Sequence, residues 1–210
     1  MRGSRPYRMQ TRAQASEATG QRILAMAQQL FGELLYDQVS LQAVAESAGV
    51  TVQTVLRRFT SKEQLFAAVT QWTSQQIRLT REQAPVGEVT GAVRNLIDTY
   101  ERWGDQVLHR LPQEQRTPAI REATEAGRRY HQAWVERVFG PFLVDGPTCV
   151  RQQQLAQLVA VTDLYMWKVL RRDLRRSREE TERAIRDLVH RITGSGGEQP
   201  RSCSGDSASA

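Results

Sequence analysis

The sequence predicts an all-α protein: an N-terminal three-helix domain with a helix–turn–helix, then a C-terminal helical bundle. Two observations lead there. Apolar residues recur at helical spacing along most of the chain, and period-2 alternation is nowhere sustained. Residues 40–62, SLQAVAESAGVTVQTVLRRFTSK, read as two short helices joined by a tight turn and followed by the start of a third.

The elements follow in chain order. Residues 1–16 carry four Arg by position 12 and no acid. They read as a basic flexible arm that follows phosphates or enters a minor groove, or equally as a solvated tail. A first helix is expected over 17–34, where Ile23, Leu24, Ala27, Leu30, Phe31 and Leu34 form one apolar stripe. In the second helix Leu41, Val44, Ala45 and Ala48 share a face, with Ser40 as N-cap and Gly49 at its end. Val50 plugs the turn. Thr51 caps a third helix over 52–59 that turns Val55 and Phe59 inward. Ser61 and Gln64 have capping-box spacing and open a fourth helix, periodic through Leu65, Val69 and Trp72 to about Thr80.

Pro85 and Gly87 break that pattern, so a helix–turn–helix domain with its following helix is placed at 17–82 and a second domain at 86–193. In the second domain, Val89 to Leu111 marks a helix ending before Pro112. Thr117-Pro118 starts another, closed by Gly140-Pro141. A long helix is expected over 148–174, and a last one over 178–193 behind a Ser177–Glu180 capping box. Residues 194–210 are rich in Gly and Ser with almost no apolar content, and disorder is expected there.

Composition narrows the function. The 210-residue chain is 40% hydrophobic and 25% charged, ordinary for a globular protein. No apolar run is long enough for a membrane span, and the basic N-terminus is followed by no apolar region; a cytoplasmic, membrane-free protein is expected. A net charge of +6 favours an anionic partner, nucleic acid first. Cys149 and Cys203 lie far apart, and His109, His131 and His190 form no local ligand pair, so no metal or cofactor is expected. His109 and His131 read as exposed helix histidines, with polar groups of a pocket as the alternative. The run 168–178, with six basic residues and one acid, reads as a solvated helix end and loop, with contact to DNA or an anionic ligand as the alternative. No nucleophile elbow, phosphate loop, HExxH or dinucleotide fingerprint is present, so there are no catalytic candidates.

The helix over 52–59 turns Gln53, Thr54, Arg57 and Arg58 outward, all hydrogen-bond donors. Gln can read adenine, Arg guanine, and Thr a thymine methyl or a phosphate. Gln53, Thr54 and Arg57 are the candidates for base edges. Ser40, Arg58 and Lys62 are the candidates for phosphate, and Thr51 joins the set at the helix start.

The stretch from Gln21 to Val69 resembles the N-terminal DNA-binding domain of the TetR family of transcriptional regulators. The resemblance rests on Ile23, Ala27, Leu30, Phe31, Tyr36, Val44-Ala45, Ala48-Gly49-Val50, Thr54, Phe59, Ser61-Lys62-Glu63 and Leu65-Phe66. Leu35 stands where the family usually has Gly, Leu56 where it has a phosphate-contacting Tyr, and Arg58 where it often has His. TDLYMWKVLRRDL near the C-terminus resembles a stretch of some members more loosely.

The resemblance implies a homodimer on a palindromic double-stranded DNA operator. It also implies a small-molecule effector in the second domain and repression relieved by that effector. The last two helices would form the dimer interface through Leu155, Leu158, Val159, Thr162, Ile185, Leu188, Val189 and Ile192. Trp103, Tyr130, Trp134 and Tyr165 are the candidates for a pocket, and with no cluster of charges among them the ligand is expected to be largely apolar. The same aromatics also suit an ordinary core. A second reading stays open, in which Leu56 weakens DNA binding and the chain serves as a helical sensing or interaction module.

Overall fold

The computed structural model describes residues 5–194, with side chains from Gln14 onward. The expected disordered tail lies outside them beyond Gly194. Among the described residues there are helices and no strand. The order is α1 (Arg5–Glu33), α2 (Leu41–Ser47), α3 (Val52–Phe59), α4 (Lys62–Arg81), α5 (Val89–Arg110), α6 (Pro118–Phe139), α7 (Thr148–Val161), α8 (Leu164–Lys168), a π-helical turn (Val169–Asp173) and α9 (Arg178–Thr193). None is long and apolar enough to cross a membrane.

The helix ends are set locally. Ser40 Oγ accepts from the Ala43 amide at 3.0 Å, and Thr51 Oγ1 from the Thr54 amide at 3.2 Å. Gly49 ends α2 with φ +63°, a left-handed conformation that costs glycine nothing. Ser177 and Glu180 close a reciprocal capping box at the start of α9.

Two ends differ from expectation. Residues 5–16, expected to be an arm, continue α1 as helix, and residues 1–4 lie outside the described set. The helix expected over 148–174 breaks at Thr162–Asp163. Thr162 Oγ1 donates back to Leu158 O at 2.6 Å, and Asp163 caps α8 by accepting from the Tyr165 amide at 2.8 Å.

The chain forms two compact units, each discontinuous in sequence. The first is Met1–Gln76 with Asp105–Glu125. Its core joins Ile23, Ala27 and Phe31 of α1 to Val44 and Ala45 of α2, Val55 and Phe59 of α3, Leu65, Phe66 and Val69 of α4, and Ile120 of α6. Phe31 stacks on Tyr36 at 5.8 Å and meets the edge of Phe66 at 5.0 Å. Gln113, expected in the second domain, is buried here and accepts from the Tyr36 amide at 2.8 Å. Ile120 and Gln113 thus tie 105–125 to the N-terminal helices.

The second unit is Ile77–Gly104 with Ala126–Ala210. Val93, Leu96, Ile97 and Tyr100 of α5 pack with Trp134, Val135 and Phe139 of α6, Leu158 of α7, Trp167 of α8, and Ile185 and Val189 of α9 in its buried core. Gln154 is buried and links three segments: its Oε1 accepts from the Val144 amide, and its Nε2 donates to Phe142 O and Ile192 O. Four of the six basic residues of the 168–178 run are in ion pairs: Arg171 with Glu101 at 2.6 Å, Lys168 with Asp173 at 2.8 Å, Arg176 with Glu180 at 3.7 Å, and Arg178 with Asp98.

Candidate nucleic-acid interface

In the first unit, burial of Val55 and Phe59 fixes the roll of α3. Gln53, Leu56, Arg57 and Arg58 are consequently exposed and Thr54 half-buried. Thr51, Thr54, Arg57 and Arg58 line one cleft of about 610 Å³ together with Val50 and with Ala15, Ser16, Thr19 and Ile23 of α1. Gln53, Ser40 and Lys62 are not part of its lining.

Arg58 is already engaged. Its Nη2 pairs with Glu17 Oε2 at 2.9 Å, and its Nη1 donates to Ser16 O at 3.0 Å. Gly20 makes room for it, since a Cβ there would stand 2.1 Å from Arg58 Cζ. Sequence reasoning did not single out Ser16, Glu17 and Gly20. A glycine inside an otherwise periodic helix was the available signal.

Lys62 is half-buried. Its Nζ donates to Tyr36 O at 3.0 Å and Val39 O at 3.1 Å and lies 4.5 Å from the Tyr36 ring centre. It therefore braces the connection between α1 and α2 from the first turn of α4. Arg57 has no ion pair among the described residues.

Residues 23–69, the segment that contains all of α2 and α3, match the family model described as bacterial regulatory proteins, tetR family. Over those residues the chain is similar to the DNA-binding domain of the TetR family. Two solved structures share the fold. A transcriptional regulator from Rhodococcus sp. Rha1 has a TM-score of 0.65 at 16% identity, covering 83% of this chain and 95% of its own. A TetR-family transcriptional regulator from Streptomyces coelicolor has a TM-score of 0.62 at 20% identity, covering 84% and 79%. No curated protein is similar enough to the chain to count as a match.

The second unit holds the other candidates. Trp103 and Trp134 are buried, and Tyr130 is half-buried beneath the Arg78 guanidinium at 5.0 Å. Tyr165 does not join them in the interior: it is 53% exposed on α8. His131, expected at the surface, is buried beside Trp134 with ring centres 6.2 Å apart. Burial, and then the charge of Arg81, lower its pKa from 6.5 to about 3. A neutral ring assigns the protons: Nδ1 accepts from Arg81 Nη1 at 3.1 Å, and Nε2 faces Val159 O at 3.3 Å as donor.

Of the interface candidates, Leu158, Thr162, Ile185 and Val189 are fully buried within a single chain, where they are core. Leu155, Val159, Leu188 and Ile192 retain partial exposure. Among the described residues no group of His, Cys, Asp and Glu could hold a metal ion.

Proposed function

We propose that the chain is a TetR-family regulator, a repressor that binds a palindromic operator as a homodimer. A small, largely apolar effector in the second unit relieves that binding. The observation that carries the reading is α3 itself, which buries Val55 and Phe59 and leaves Gln53 and Arg57 exposed within the family-matched segment. Gln53, Thr54 and Arg57 read base edges, while Ser40, Thr51, Arg58 and Lys62 meet the backbone. α4 runs from Lys62 to Arg81 as one helix, so it contributes residues to both units and is the element able to carry an effector's influence. The effector acts only through its different affinity for DNA-competent and DNA-incompetent states.

Gel shifts against DNA upstream of its own gene test DNA reading. Arg57→Ala is expected to cost about 1–3 kcal/mol at the cognate site and to relax specificity there, whereas Lys62→Ala weakens all sequences alike. Unchanged operator affinity in Arg57→Ala would reject this docking. The half-exposed Leu56, which offers no hydrogen bond to a phosphate, favours the second reading of weakened DNA binding, and the same gel shifts decide it.

The two-fold dimer places half-sites about 34–36 Å apart. The partly exposed Leu155, Val159, Leu188 and Ile192 of α7 and α9 supply its apolar contacts. Sedimentation is expected to give twice the 23.9 kDa chain mass at micromolar concentration. A single-chain mass would rule out the interface.

A further inference from the structure

Arg81 closes α4 and is 3% exposed, yet among the described residues it has no carboxylate partner. Its Nη1 is used on His131, a neutral group. Its Cζ lies 4.7 Å from the Trp134 ring centre and 5.2 Å from that of Tyr100. Those ring faces attract the charge but supply no lone pair for the N–H donors; the Tyr100 hydroxyl, on which Arg81 acts, is a neutral acceptor and leaves the charge unpaired. Nε and Nη2 are both buried without a hydrogen-bond partner. Buried donors of a cation are seldom left unmatched, because desolvating them is costly.

The two unmatched atoms are not arbitrary. Nε–H and the neighbouring Nη2–H point the same way and form the side-on fork of the guanidinium. That fork matches the two oxygens of a carboxylate in parallel hydrogen bonds. The surroundings have the same preference. The Tyr130 hydroxyl is another buried group with no partner. Burial raises its pKa, and the charges acting on it are three cations, Arg81, Arg137 and Arg78, against one acid, Glu82. The rings of Tyr100, Tyr130 and Trp134 around these arginines offer apolar surface to the rest of a ligand.

We propose that Arg81 anchors a carboxylate, so that the effector is an apolar or aromatic acid whose charged end binds the Nε/Nη2 edge and whose body packs on the neighbouring rings. This deepens the effector reading above and rests on it. Charge lies among the aromatic candidates after all, contributed by α4. The choice of a carboxylate over a neutral apolar molecule follows from the paired in-plane donors. Arg81 also joins α4 to α6 through its backbone, its carbonyl accepting from Trp134 Nε1 at 3.0 Å and Arg137 Nη2 at 3.3 Å. A ligand on the side chain therefore acts where α4 ends.

The test is calorimetric titration of the full chain with benzoate, 2-naphthoate and octanoate, each beside its primary amide and beside inorganic phosphate. At least one carboxylate is expected to bind roughly tenfold or more tightly than its amide, as a charge-assisted bidentate pair implies, and phosphate to bind weakly. Arg81→Gln is expected to erase that preference, and Arg81→Lys to keep part of it. Should the substitutions unfold the chain, the Arg81 Nε–H resonance of the wild type gives a second readout and is expected to shift on carboxylate addition. Equal affinity for acid and amide across all three pairs, or an unmoved Arg81 Nε–H, overturns the proposal. A carboxylate that binds at Arg81 yet leaves operator affinity unchanged keeps the site and rejects the effector reading. A neutral amide that releases DNA as well as its acid does the reverse.

Discussion

Trp167→Ala is expected to cost about 3–5 kcal/mol of stability. Trp167 is fully buried, donates from Nε1 to Glu101 Oε1 at 2.9 Å, and carries the Arg172 guanidinium 4.5 Å from its ring centre. Its six-membered ring lies directly over Gly104, where a Cβ would stand 2.7 Å from Cζ3. Truncation removes a large apolar surface from the second unit and opens a cavity between α5 and α8. Filling from the other side is also unfavourable. The indole is held by Glu101 and cannot retreat, so Gly104→Ala is expected to cost about 1–3 kcal/mol through overpacking. Urea unfolding of both variants checks this. A loss below about 1 kcal/mol for Trp167→Ala would mean that the packing around it collapses without penalty.

Acid is expected to destabilise the fold earlier than its carboxylates require, and His131 is the reason. In the unfolded chain this ring takes a proton near 6.5, whereas in the folded one it does not until about 3. Between those values the unfolded state binds more protons. Stability therefore falls as pH falls through the window, by up to about 1.4 kcal/mol per pH unit from this group alone. Between pH 6.5 and 5 the carboxylates contribute little, so the slope there isolates the histidine. Urea midpoints measured across that range should decline in the wild type and stay flatter in His131→Gln. Parallel slopes would show that His131 charges freely in the native protein.

The helix–turn–helix was legible because its signals are local. Ser40, Thr51 and Ser61 announce helix starts by residue type and spacing, Gly49 an end, and Val55 with Phe59 an inward face. The second unit was harder to read because its decisive contacts join distant residues. The burial of His131 depends on Arg81, fifty positions away, and on Val159. Nothing near His131 in sequence marks it as interior. Apolar periodicity runs through Thr162–Asp163 without a gap, so the break there shows only in hydrogen bonds from two short polar side chains. Residues 5–16 misled by composition: positive charge suggested an arm, yet the run contains no residue that must end a helix, and α1 extends through it.

In the docking proposed above, Arg58 meets the operator with its charge already matched. A phosphate can occupy its guanidinium only by displacing Glu17, which then draws a cation from solution. Counterions leave the DNA as usual, but one is taken up by the protein, so the exchange is nearly neutral in ions. Each phosphate neutralised by a free cation adds about 0.9 to the slope of affinity against salt. Arg58, paired with Glu17, contributes only a remnant of that increment. Binding is thus less sensitive to ionic strength than the basic residues of α3 would suggest, and Glu17→Gln restores the missing increment.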